Sequence, residues 1–188
     1  MNFMYRLIIF GPPGAGKGTQ AQLVAGKLNL FHLSTGEMLR NAAAEGTELG
    51  KKAKEIMDRG DLVSDEIMIG IVRDVLGKND LKNGFILDGF PRTVKQAEAL
   101  MEIFKELNFR DVIVVSLTAN EEELVKRLMS RGRSDDTESS VRNRLHVYER
   151  SSNPVIDFFE GKVKILKING VGEIEKINEN ILNEIAKI

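Results

Sequence analysis

The chain has 188 residues, 42% hydrophobic and 29% charged, which is the balance of one globular domain with a sizeable core and excludes a disordered or membrane-embedded chain. A net charge of −1 argues against a nucleic-acid binder that works by overall basicity, so any phosphate site must gather its cations locally. With no cysteine, and His32 and His146 as the only imidazoles, disulfides, thiolate metal centres and histidine-rich metal sites are excluded.

Residues 6–10 form an apolar run without alternation, which predicts a buried strand. The run is short and ends at Gly11-Pro12-Pro13, so neither a secretory leader nor a bilayer span is expected, and the cytoplasm is the expected location. A helix is predicted over residues 16–28. Residues 34–75 read as several helices with no strand, broken at Gly46 and Gly60, and so as a helical insertion. Apolar runs at 85–87, 112–115 and 163–168 predict three further strands; the second is Val-Ile-Val-Val, β-branched throughout. Between them lie helical faces: Leu100, Ile103, Phe104 and Leu107, then Leu124, Val125, Leu128 and Met129. A stripe of Ile174, Ile177, Ile181, Ile185 and Ile188 marks the last helix, and all three faces are expected to pack on the core. Strands alternating with amphipathic helices predict an α/β fold, a mostly parallel sheet with helices on both faces.

Between the first strand and its helix, residues 11–19 read Gly-Pro-Pro-Gly-Ala-Gly-Lys-Gly-Thr. This is the G-x-x-x-x-G-K-[ST] pattern with Gly18 in the Ser/Thr place and Thr19 one step later. Glycines let backbone N–H groups converge on phosphate oxygens, and the helix N-terminus adds a favourable dipole. Gly14, Ala15, Gly16, Lys17, Gly18 and Thr19 are therefore candidates for holding a nucleoside triphosphate. Lys17 would reach the β- and γ-phosphates, and Thr19 would offer a hydroxyl towards Mg²⁺.

The rest of the chain resembles the adenylate kinase family. The resemblance is carried in order by G-P-P-G-A-G-K-G-T-Q at 11–20, S-T-G-E-M-L-R at 34–40, D-L-V-S-D at 61–65, D-G-F-P-R-T at 88–93 with Gln96, and R-S-D-D at 133–136 with Arg142 and Arg144. It implies a P-loop NTPase-type three-layer fold with a five-stranded parallel sheet. It also implies a single domain over 1–188, with a core (1–33, 64–130 and 137–188), an AMP-binding subdomain (34–63) and a very short lid (131–136). The expected reaction is reversible transfer of the terminal phosphoryl group of Mg-ATP to AMP by a monomer, with no nucleic-acid or membrane partner.

By the same resemblance Arg127 and the backbone at Gly172 take the ATP adenine. Thr35, Leu62, Val63 and Gln96 take the AMP base, with Asp61, Gly89, Phe90 and Pro91 beside it. Arg40 and Arg92 clamp the AMP phosphate, Arg131, Arg133 and Arg144 hold the transferring group, and Asp88 orients Mg²⁺-bound water. Only Gly132 separates Arg131 from Arg133, and nothing in so short a lid can bind zinc. Simpler structural readings stand beside these. Thr35 would cap a helix starting at Gly36, Asp88 would serve the turn at Gly89, Asp135-Asp136 would be a solvated loop pair rather than a latch, and Arg127 and Arg144 would be surface arginines of helices.

Three other functions are weighed. A UMP/CMP kinase commonly has Asn where Thr93 stands, and Thr93 with Gln96 favours AMP. A GTP-hydrolysing switch would need an N-K-x-D motif, which is missing, and Asp88 is followed directly by Gly89 rather than by the D-x-x-G switch spacing. An inactive scaffold would not keep Lys17, Asp88 and the full set of arginines.

Overall fold

The computed structural model describes residues 4–79, 81–133 and 135–188, without the side chain of Leu49. Residues 1–3 and 80 of the expected core and Ser134 of the expected lid lie outside them.

Five parallel strands form one sheet: β1 (Tyr5–Phe10), β2 (Phe31–Ser34), β3 (Gly84–Asp88), β4 (Val112–Thr118) and β5 (Lys164–Asn169), in the spatial order β2-β3-β1-β4-β5. Helices α1 (Lys17–Leu28), α2 (Thr35–Ala44), α3 (Glu48–Asp58), α4 (Asp65–Lys78) and α5 (Val94–Glu106) come from the first half of the chain. Helices α6 (Glu121–Ser130), α7 (Glu138–Val147), α8 (Asn153–Phe159) and α9 (Ile174–Ile185) follow, and a π-helical turn at Tyr148–Ser152 joins α7 to α8.

The continuous apolar strands are explained by burial on both faces. Along β1, Ile8 and Phe10 face α4, α5 and α8, whereas Leu7 and Ile9 face α1 and α9. The period of two thus splits one strand between two cores. Side chains cap several helices: Thr93 accepts from the Gln96 N–H, Asn120 from the Glu123 N–H, and Thr137 and Ser140 form a reciprocal capping box.

Four expectations need correction. Residues 31–34 form the fifth strand, which periodicity did not reveal: it has four residues and lies at the sheet edge, too short to show a pattern. Met129, Ile174 and Ile188 are exposed, not core-facing. On α6, Leu124 and Leu128 already fill the contact, and Met129 lies a further 100° round the helix. Ile174, at the start of α9, opens on a cleft, and Ile188 lies beyond the end of α9.

All strands run the same way, so their C-terminal ends gather the loops on one edge. The strand order reverses around β1, where a doubly wound sheet opens a crevice for ligands. Among the described residues no helix is long and apolar enough to cross a membrane.

One close approach fixes the β1–β3 pairing. Gly84 pairs with Tyr5 at φ +96°, and a Cβ placed there would lie 1.9 Å from the Tyr5 carbonyl oxygen. Gly84→Ala must therefore separate the strands or abandon the left-handed backbone. A loss of about 3 kcal/mol is expected, a fall in Tm of roughly 6–12 °C for a chain of this size, measurable by calorimetry.

Candidate active site

A cleft of about 930 Å³ opens along the C-terminal edge of the sheet. Every residue proposed from the sequence as nucleotide-binding or catalytic lines it.

Its floor is the loop between β1 and α1. Gly11, Gly14 and Gly16 all have positive φ, which lets the loop turn back on itself and leads into α1 at Lys17. Gly14 has no room for a side chain, since a Cβ would lie 2.7 Å from the Leu124 carbonyl oxygen. Lys17 folds over the loop, its Nζ donating to the Pro12 carbonyl at 2.9 Å. Gly18 stands in the common Ser/Thr place beside Asp88, at the end of the neighbouring β3: a Cβ on Gly18 would sit 3.3 Å from Asp88 Oδ2, a tight contact. Thr19, one step on, also lines the cleft.

Asp88 is largely buried. Its Oδ2 accepts from Ser34 Oγ at 3.4 Å and lies 3.9 Å from His32 Nε2, a buried nitrogen without a hydrogen-bond partner. Burial works against its charge, but His32, Lys17 and Arg92 outweigh it and hold Asp88 below the usual carboxylate range. Asp88 therefore does more than shape the turn at Gly89. Thr35 does not cap its helix: α2 begins at Thr35 itself, and the hydroxyl donates to the Asp88 carbonyl at 3.3 Å.

The cations fall into two groups. Arg127 pairs with Glu123, Arg131 with Asp136, and Arg144 with both Asp135 and Asp136. The Asp136 side chain is only 1% exposed, so the two aspartates are not a solvated loop pair. Lys17, Arg40, Arg92 and Arg133 form no ion pair among the described residues. Desolvation lowers the proton affinity of Arg92, and Arg144 and Arg40 lower it further against the opposing Asp88; Arg133 is lowered by desolvation, Arg131 and Arg40. Desolvation likewise brings Lys17 from 10.5 to about 8, with Arg92, Arg131 and Arg133 adding to the fall and Asp88 resisting it. Such a set of under-neutralised cations is built to receive anions.

At one end of the cleft Thr35, Leu62, Val63, Phe90, Pro91 and Gln96 form a partly apolar pocket beside Arg40 and Arg92. The Arg92 guanidinium donates to the Gly89 carbonyl at 2.8 Å, and its backbone is pinned by Gln96 Oε1 and Ser152 Oγ. Asp61 lies at the rim, where it accepts from Asn143 on α7 at 2.8 Å. At the other end Arg127 donates to the Gly170 carbonyl at 2.8 Å, next to the exposed Gly172. Gln20, buried at the base of α1, donates to the Ile174 carbonyl at 2.9 Å and accepts from Asn178 at 3.1 Å, which ties α9 to the phosphate loop. Sequence reasoning gave no individual role to Gln20, His32, Asp65 or Ser152, whose importance comes from contacts across long stretches of chain.

Among the described residues no group of three or more metal-binding side chains occurs. One carboxylate, Asp88, and one hydroxyl, Thr19, suit Mg²⁺ that is held mainly by phosphates and water rather than by a protein cage.

Comparison with known proteins is decisive. Residues 9–164 match the sequence profile of the family described as adenylate kinase. The chain belongs to the adenylate kinase family. It is similar to adenylate kinases from Leptospira biflexa (53% identity, covering 97% of this chain and 100% of the relative), Corynebacterium urealyticum (47%, covering 97% and 99%) and Archaeoglobus fulgidus (44%, covering 97% and 98%). The five-stranded parallel sheet with helices around it agrees with that membership.

A pH prediction follows from Lys17. With a folded-state pKa of about 8, its ammonium is charged below pH 8 and mostly neutral above it, until a polyphosphate restores the charge. At pH 8.5, where nucleotide phosphates are already ionised, binding of a nucleoside triphosphate should take up about three-quarters of a proton, and none from this group near pH 6.5. Titration calorimetry in buffers of different ionisation enthalpy measures this, and Lys17→Arg, charged throughout, should abolish the uptake.

Proposed function

We propose that the protein transfers the terminal phosphoryl group of ATP, as its Mg²⁺ complex, reversibly to AMP, giving two ADP. One observation carries this reading: Lys17, Arg40, Arg92 and Arg133, all without ion pairs among the described residues, line one cleft that has a phosphate loop at one end and a second, partly apolar pocket at the other. A site for a single nucleotide would need only the first end.

In this reading Gly14 to Thr19 hold the ATP phosphates, and Arg127 and the backbone at Gly172 meet its base. Thr35, Leu62, Val63 and Gln96 receive the AMP base, with Asp61, Gly89, Phe90 and Pro91 around it. Arg40 and Arg92 grip the AMP phosphate. An oxygen of that phosphate attacks the γ-phosphorus in line; the new P–O bond forms as the bond to the β-phosphate's bridging oxygen breaks, and ADP leaves with those electrons. The attacking oxygen is already ionised, since a phosphate monoester has its second pKa near 6, so no general base is required. What the step needs is stabilisation of charge spread over the transferring group. Lys17, Arg131, Arg133 and Arg144 supply it. Mg²⁺, when bound, neutralises phosphate charge, and Asp88 and Thr19 would orient its waters.

Asp136 and Asp135 keep Arg131 and Arg144 folded inward; phosphates would compete for the same guanidinium groups. Closure of residues 34–63 and 131–136 over both substrates would exclude water, the competing acceptor. Contacts already join these regions to α7: Asn143 donates to the Arg59 carbonyl at 2.8 Å, and Arg144 to the Met57 carbonyl at 3.2 Å. A monomer in the cytoplasm is the proposed working form.

Phosphorus NMR of purified protein with Mg²⁺ and ADP alone should show equilibration to ATP and AMP; no exchange would sink the reading. With ATP as donor, AMP should exceed CMP, UMP and GMP in kcat/KM. Lys17→Ala should lower kcat by at least about 10²-fold, comparable to loss of one oxyanion donor, while far-UV circular dichroism stays unchanged.

A further inference from the structure

Gln96 lies on the first turn of α5, 2% exposed and lining the acceptor end of the cleft. Both ends of its amide are engaged. Oε1 accepts from the Arg92 backbone N–H at 2.7 Å, and Nε2 donates to Asp65 Oδ1 at 2.8 Å. The same Asp65 oxygen accepts from Thr93 Oγ1 at 3.0 Å, and Thr93 Oγ1 accepts in turn from the Gln96 backbone N–H at 3.1 Å. Asp65 opens α4, directly after the segment that brings Leu62 and Val63 to the pocket.

We infer that Asp65 is a positioning residue that sets acceptor-base selectivity by locking the Gln96 amide in one of its two orientations. The lock follows from donor and acceptor character. A carboxylate only accepts and a backbone N–H only donates. Turning the amide over would set its oxygen against the Asp65 carboxylate and its NH₂ against the Arg92 N–H, losing two hydrogen bonds and creating two repulsions. In the observed orientation one N–H and one oxygen lone pair are left over. That pair complements a base carrying an amino group beside a ring-nitrogen acceptor, as adenine does. A base with a carbonyl and a ring N–H at those positions needs the opposite arrangement, which Asp65 forbids. The lock therefore discriminates amino bases from keto bases, and does so without Asp65 touching the nucleotide.

This inference rests on the reading of Gln96 as a contact to the acceptor base, and the test separates the two. The sharpest probe is IMP against AMP, which exchanges the adenine amino group for a carbonyl and leaves the rest of the shape. Asp65→Asn keeps the volume but offers either polarity to Gln96, and Asp65→Ala removes the carboxylate and leaves only the Arg92 N–H to orient the amide. In either variant the AMP to IMP ratio of kcat/KM should fall at least about tenfold, the size of one misplaced buried hydrogen bond, mainly through KM for the monophosphate. KM for ATP should stay within about twofold of wild type. The AMP to CMP ratio should change far less, because cytosine also pairs an amino group with a ring acceptor. Gln96→Ala is the control. If it collapses the AMP to IMP ratio while both folded Asp65 variants keep it, the lock is wrong and base reading by Gln96 stands. If Gln96→Ala also leaves the ratio intact, the reading beneath it is wrong. Whichever Asp65 variant retains the wild-type circular dichroism spectrum decides the matter; failure of both to fold would make the carboxylate a structural support and overturn the inference.

Discussion

Like charge held together without counterions is the constraint on which the site depends. Lys17, Arg40, Arg92 and Arg133 share one cleft, and removal from water together with neighbouring positive charge lowers the proton affinity of Lys17, Arg92 and Arg133. The fold bears that cost because the backbone, not the ions, fixes their places: β1 and β3 deliver Lys17 and Arg92 from adjacent strand ends, α2 delivers Arg40, and the segment after α6 delivers Arg133. Phosphates relieve the repulsion, so the same feature that destabilises the free protein supplies affinity for two facing anions.

The carboxylates are distributed accordingly. Asp135 and Asp136 offset Arg131 and Arg144, whereas Asp88 lies beside the phosphate loop with Ser34 and His32 near its Oδ2. Asp88 also crowds Gly18: a Cβ there would lie 3.3 Å from its Oδ2, so a side chain at that position would have to push the carboxylate aside.

Much of this was legible in the residues themselves. The phosphate loop announced itself by glycine spacing and by its place between strand and helix, and four of the five strands by their apolar runs. The misses have a common cause. Periodicity reports burial averaged over several residues, so it overlooked the four-residue β2 and assigned Met129 and Ile188 to a core that Leu128 and Ile185 already fill. Thr35 has the residue type of a cap, but the neighbouring Asp88 carbonyl competes for its hydroxyl. Asp65 falls in the D-L-V-S-D run at 61–65, but its role was hidden because its two partners lie 28 and 31 residues away. Linear motifs mark the residues of a site; they do not separate those that meet a ligand from those that aim them.

The amide chain from Gln20 through Asn178 has an effect beyond its role in holding α9. It joins residues 158 apart, so this end of the cleft is assembled from segments distant in sequence. Contacts of that span cost more loop-closure entropy than local ones. Without α9, Gln20 would lose both of its amide partners, the Ile174 carbonyl and Asn178, in the first turn of the helix that follows the phosphate loop. The shape of that end of the cleft therefore depends on a helix that lies far from the phosphate loop in sequence, and loosening α9 would be felt at Gln20 before it was felt in the sheet's own ladder of hydrogen bonds.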